Sequence, residues 1–299
     1  MTSPTASPSL LPRLHPPVRD EYEQPLAPLG ALAPEQPLPL LQRVWNVAAV
    51  RRSLILLVLA VLWQLLAQWQ DNDLLLPTFT QTMAALVEGV RSGELLHKAG
   101  ISLWVLLQGY GIGMAAALVL TTLAVSTQLG RDVLTTLTSM FNPLPAIALL
   151  PLALLWLGLG QGSLILVLVH SVLWPLALNT YAGFQAVPET LRMAGRNYGL
   201  RGVPYVLQIL VPAALPSILS GLKIGWAFAW RTLIAAELVF GASSGQGGLG
   251  WYIFQNRNEL YTDKVFAGLL TVIGIGLLVE TLGFHTLERL TVRRWGVQR

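Results

Sequence analysis

Six stretches of this sequence are long and apolar enough to cross a bilayer, and they constrain the fold before any motif does. A spanning helix needs roughly 20 mostly apolar residues. Such runs lie at 53–69, 101–125, 134–158, 163–184, 212–240 and 265–287. The fold class they predict is an all-α integral membrane protein with six transmembrane helices. Only 11% of the 299 residues are charged and 54% are hydrophobic, whereas a soluble domain carries about 25% charge. This excludes an ordinary soluble enzyme, a disordered protein and a nucleic-acid binder. The net charge of +4 is small, and its cations form no single basic stripe. There is no cysteine, hence no disulfide, thiol nucleophile or thiolate metal site. The four histidines are scattered, so no metal site is expected.

Six spans place both termini on one side, and the loop cations choose it. With the N-terminus inside, thirteen Lys or Arg residues fall in inside segments: Arg13, Arg19, Arg43, Arg51, Arg52, Arg131, Arg192, Arg196, Arg201, Arg289, Arg293, Arg294 and Arg299. Only four fall outside: Arg91, Lys98, Arg257 and Lys264. Inside loops of membrane proteins carry the basic excess, so both termini are predicted to be cytoplasmic. Residues 1–50 form a separate segment, with ten of the 19 prolines in the first 40 residues. Proline fixes φ and removes a donor, so this segment reads as a mostly disordered tail, with a short interfacial helix at 40–50. The remainder, 51–299, holds every span. Between the first two spans, 77–100 has amphipathic spacing and reads as a surface helix on the outer face.

The most informative segment is the loop at 187–211 with the start of the fifth span, VPETLRMAGRNYGLRGVPYVLQILVPAALPSIL. A plain helix connection takes about 2–8 residues; this one is longer, and its polar first half is compatible with a helix. The spacing resembles the loop signature of ABC-importer permeases: Glu-Ala-Ala, three residues, Gly, nine residues, Ile, one residue, Leu-Pro. Gly199, Ile209 and Pro212 fall in register. Met193-Ala194-Gly195 stands at the triplet, so Met replaces the Glu of the pattern, and Val211 replaces its Leu. Glu189 lies one turn earlier. The segments LLLPTFTQTMAALVEGVRSGEL, NPLPAIALLPLALLWLGLG, GRNYGLRGVP and SGLKIGWAFAWRTLIAAELVFGASSGQGGLG are similar to the nitrate/sulfonate/taurine branch, and the resemblance covers about 74–295.

The resemblance implies a type I ABC importer permease fold in a bacterial cytoplasmic membrane. It implies a second permease copy, two ABC ATPase subunits and an extracytoplasmic substrate-binding protein as partners, with no nucleic acid. The chain would be a transport subunit and not an enzyme, with no catalytic residue and no cofactor of its own; ATP and Mg²⁺ would act on the ATPase. The residues placed at the ATPase contact are Glu189, Arg192, Met193, Ala194, Gly195, Arg196, Asn197, Tyr198, Gly199 and Pro212. Gly199 suits a turn at positive φ, Tyr198 offers a flat face, the arginines offer charge, and Pro212 suits the start of a span. The substrate implied is a small anion: a sulfonate or taurine, nitrate or similar.

Ionisable residues inside spans are costly and point to function. If Lys223 reaches the inner interface, Arg231 sits about 12 Å deeper and Glu237 about 21 Å deeper. Their six-residue spacing separates them by about 120° around the helix, so each is expected to meet a different neighbour. Arg231 is a candidate path residue, and Glu237 a candidate for orienting it or for a gate. GASSGQGGLG, from Gly241 to Gly250, has five glycines but no following Lys-Ser/Thr, which excludes a P-loop; it reads as a loop or flexible gate. His170 reads as a packed histidine, and Asn179 and Thr180 as bonds between helices. Two other function classes compete. A membrane enzyme would cluster acids and histidines, and none cluster here. A secondary transporter or channel without an ATPase leaves the 187–211 loop unexplained.

Overall fold

The computed structural model describes residues 42, 45–240 and 247–293. The proline-rich head, Arg43, Gly241, Arg294 and Arg299 therefore lie outside the described residues, as do residues 41 and 44. The described residues are helical, with no strand. In chain order they form α1 (Ala48–Gln70), α2 (Phe79–Arg91), α3 (Glu94–Ser126), α4 (Gln128–Phe141), α5 (Leu150–Leu157), α6 (Gln161–Gln185), α7 (Glu189–Asn197), α8 (Gly202–Ala213), α9 (Leu215–Phe240), α10 (Leu249–Asn258) and α11 (Thr262–Leu278). The last continues as helix to Thr291 through wider π turns. Four helices are long and apolar enough to cross a membrane, and six if each of two bent pairs counts as one span. The chain divides into two units within α1, between Leu56 and Leu57. In the first, Arg51 Nη1 donates to Trp45 O at 2.7 Å; everything below concerns the second.

Each of the six apolar runs falls on one of these helices or bent pairs, and the helix bounds differ from the predicted ones in three places. The run at 134–158 is two helices: α4 and the Ala146–Leu157 segment meet at 90°. Pro143 and Pro145 explain the break: neither ring has an N–H to continue the helix, and Pro145 is extended, with φ −60° and ψ 123°. Pro151 does not break a helix but begins α5, where its missing N–H costs nothing. The run at 212–240 is also bent, with α8 and α9 meeting at 83°, so Pro212 sits one turn before the span proper. Finally, the surface helix ends at Arg91, and residues 94–100 belong to α3. That helix has 33 residues, about 50 Å, so it overshoots a hydrocarbon core of about 30 Å. Thr78 and Gln81 cap α2 reciprocally.

α6 is the central helix and packs along both α3 and α9. Lipid supplies no hydrophobic force between helices, so association rests on close contact at small residues. The buried face of α3 is such a stripe: Ser102, Gly109, Gly113, Ala117, Thr121 and Ala124. A Cβ at Gly109 would lie 2.5 Å from Leu168 Cβ, and one at Gly113 2.9 Å from Val172 Cβ. On the other side of α6, a Cβ at Gly221 would meet Asn179 Cβ at 2.9 Å and one at Gly183 would meet Ser217 Cβ at 2.6 Å. Asn179 does not bond between helices as expected; its amide donates to Pro175 O of its own helix at 2.8 Å.

This packing predicts a contrast within α3. Gly109→Leu overpacks the α3–α6 contact and costs roughly 1–3 kcal/mol. A Cβ at Gly111 would meet nothing within 4 Å, and Gly111→Leu is expected to be neutral. The measurement is thermal retention of the monodisperse peak in detergent.

Candidate functional site

The loop predicted to carry function is a short helix held by two anchors. Pro188 stands before α7 with φ −55° and ψ 141°, and Glu189 follows in the first turn, where a carboxylate suits the helix dipole. Glu189 lies 3.9 Å from Arg192 Nε and 3.8 Å from Arg196 Nη1. These are loose, solvent-facing pairs and contribute little. Arg192 has a firmer role. Its Nε donates to Val187 O at 3.1 Å and its Nη2 to Phe184 O, so it caps the carbonyl end of α6. The structure thus turns the Arg192 guanidinium onto the end of α6.

The second anchor is Gly195, the one buried residue of α7. A Cβ there would lie 2.9 Å from Ile209 Cγ1 and 3.1 Å from the Tyr205 ring. The glycine standing where the family pattern has alanine therefore lets α7 seat directly on α8. Beyond it the chain turns sharply. Gly199 has φ +76°, its N–H donates to Arg196 O at 2.9 Å, and Leu200 N–H donates to Gly195 O at 3.1 Å. This pair of bonds is the Schellman motif, and it fulfils the turn expected of Gly199. The rest of α7 faces outward. Tyr198 is 86% exposed and Met193 49%; Leu191, Ala194 and Tyr198 share one face at helical spacing, with Asn197 beside them.

The intramembrane ionisable residues separate as their angular spacing predicts. Lys223 pairs with Glu288. Glu237 is 3% exposed and lies away from Arg231. Its carboxyl accepts from Ser102 Oγ at 2.9–3.0 Å and from Gly250 N–H at 2.8 Å. Ser102 Oγ in turn accepts from Leu249 N–H at 2.9 Å. Two of the first N–H groups of α10, which have no partner within the helix, are thereby satisfied. A Cβ at Gly248 would fall 2.0 Å from Ser102 Oγ and 2.5 Å from Glu237 Oε1, so only glycine fits. Gly250, read from sequence as part of a loop or gate, is buried in the first turn of α10. Ser102 was not singled out by sequence reading, because it lies 135 residues from its partner among apolar neighbours.

Arg231 lines a cavity of about 290 Å³ at the break between α4 and α5. Asn142, His170, Ser171, Trp174 and Thr232 supply its other polar groups. His170 packs edge-on to Phe141 and Trp174, as expected of a packed histidine, yet it also faces this cavity. No group of three or more acids and histidines able to hold a metal occurs among the described residues.

Ser102→Ala leaves Leu249 N–H without its acceptor and Glu237 without one donor. It is expected to lower stability by about 1–3 kcal/mol, read as a reduced melting temperature of the purified protein. An unchanged melting temperature would contradict the anchoring role.

Comparison with known proteins gives one family. The family described as binding-protein-dependent transport system inner membrane component matches residues 109–291. A nitrate import permease protein of Synechocystis is 29% identical over 84% of this chain and 92% of its own length. A probable ABC transporter permease protein of Brucella melitensis is 30% identical over 77% and 91%. A taurine transport system permease protein of Escherichia coli is 34% identical over 53% and 56%.

Proposed function

Since the chain belongs to the binding-protein-dependent transport system inner membrane components, we propose that it is the permease of an ATP-driven importer moving a small oxyanion inward by alternating access. The observation that carries the reading is α7. It presents Leu191, Ala194 and Tyr198 outward while Arg192 ties it to the end of α6 and Gly195 seats it on α8. An exposed helix fixed to two membrane elements is a handle. Its face suits a groove on a separate ATPase, on which ATP and Mg²⁺ act. The excess of arginines in the segments on that side supports a cytoplasmic location for α7 and both termini. Closure of two ATPases would then move the α7 helices of two permease copies, and an external binding protein would deliver the solute. The substrate class rests on the nitrate and taurine named for two relatives and on Arg231.

The test is affinity purification of the tagged chain from its own host in mild detergent, with mass spectrometry of co-purifying proteins. The expected result is an ATPase with Walker motifs at about one copy per permease. Leu191→Glu combined with Tyr198→Glu places charge on the exposed face, away from the residues that anchor α7, and is expected to abolish that recovery with the permease still inserted. A preparation with no ATPase even after crosslinking would overturn the importer reading in favour of a transporter without an ATPase.

A further inference from the structure

A charged side chain inside a span is costly unless something meets it. Lys223 and Glu288 meet each other, and Glu237 is held by Ser102 and the Gly250 N–H. Arg231 on α9 and Glu280 on the continuation of α11 are met by no such partner. Both are exposed, and both border one cavity of about 180 Å³ between these helices. Yet neither side chain lies within 4.0 Å of an opposite charge among the described residues. Arg231 Nε donates to Ala227 O at 3.1 Å, and its guanidinium lies 5.6 Å from the centre of the Phe228 ring. Both of these contacts are with its own helix.

The two charges are level in the bundle. α9 and α11 run antiparallel: Lys223 pairs with Glu288, Trp226 packs edge-on to Phe284, and Trp230 Nε1 donates to Val272 O at 3.3 Å. Arg231 and Glu280 each lie eight residues beyond the Lys223–Glu288 pair in the same direction, about 12 Å at helical rise. Each also ends an exposed stripe at helical spacing, Ile224, Phe228 and Arg231 on α9, and Ile273, Leu277 and Glu280 on α11. Lipid suits the apolar members of these stripes but not the charged ones. Two copies inserted in the same orientation are related by a twofold axis along the membrane normal, so each residue keeps its depth. A twofold contact is self-complementary: where residue i meets j, j meets i. A cation and an anion at one depth satisfy that condition. We propose that α9 and α11 form a face that pairs with a second copy of this chain, with Arg231 of each copy meeting Glu280 of the other. The contact needs only two copies. Its part in transport rests on the importer reading, in which the pair closes the path at this depth and frees Arg231 for an anion where the copies part.

The chain contains no cysteine, so two differently tagged forms with single cysteines report on the contact without background. Arg231→Cys in one form and Glu280→Cys in the other set two cysteines across one contact and leave the Arg231–Glu280 pair of the other contact intact. The forms are co-expressed and native host membranes are treated with a short bismaleimide, because an Arg–Glu pair holds its backbones farther apart than the Cα separation of a disulfide, about 4.4–6.8 Å. The expected result is a two-chain adduct bearing both tags, in excess of the adduct from either form alone. Charge exchange reads the pair independently. Arg231→Glu or Glu280→Arg, expressed singly, is expected to lower co-recovery of differently tagged copies by about tenfold or more, since like charges then face each other. Co-expression of the two single variants sets opposite charges at both contacts and is expected to recover the assembly, although within each chain the charges stay alike. The bismaleimide result stands by itself if a charge variant fails to insert. An adduct formed only within a chain carrying both cysteine substitutions, or a rescue that needs both charge exchanges in one chain, would overturn the pairing. A two-tag adduct with no co-purifying ATPase would keep this face and remove the importer; an ATPase recovered with no two-tag adduct would do the reverse.

Discussion

A bilayer withholds two things that a soluble protein takes from water: a hydrophobic force between helices and a partner for every exposed polar group. The rest of this structure follows from how the chain supplies both itself. Close approach replaces the first. Gly109 and Gly113 bring α3 against α6, and Gly183 and Gly221 bring α9 against its other side. Internal pairing replaces the second. The Glu237 carboxyl, the Ser102 hydroxyl and the first N–H groups of α10 close a buried set of bonds. These bonds fix the far end of α9 to α3 and to the entry of α10.

That arrangement gives the chain a handle at one end and a lock at the other. Arg192 joins α7 to the carbonyl end of α6, and Gly195 seats α7 on α8, which leads through the 83° bend into α9. A force applied to the exposed face of α7 therefore reaches both helices that border the Arg231 cavity. The lock resists it at the opposite end of α9. In the proposed importer, this is how an ATPase outside the membrane would alter a cavity within it.

The sequence shows those parts of this design that are local. Apolar runs marked the four long helices and the two bent pairs, the 187–211 loop stood out by length and polarity, and Gly199 announced its turn by residue type. The 120° between Arg231 and Glu237 foretold that they would not pair. What stayed hidden depends on distant residues meeting. Ser102 pairs with Glu237 across 135 positions, and Lys223 with Glu288 across 65. The cavity draws on 142–147, 170–175 and 228–232, three segments with no shared motif. The bonds of Arg192 were hidden because charge in a loop does not show that two carbonyls at the end of α6 will take it. α10 was missed because its glycine-rich entry argues against a helix until Glu237 and Ser102 supply the partners for its first amides.

The central claim is that α7 is the surface through which a separate ATPase drives this chain. A photo-crosslinking residue placed at Tyr198 in the native host membrane tests it most directly. The account predicts an adduct with a polypeptide carrying Walker motifs, whose yield changes when ATP is trapped on that partner. An adduct with lipid alone, with the same crosslinker capturing an ATPase only from positions remote from α7, would contradict it.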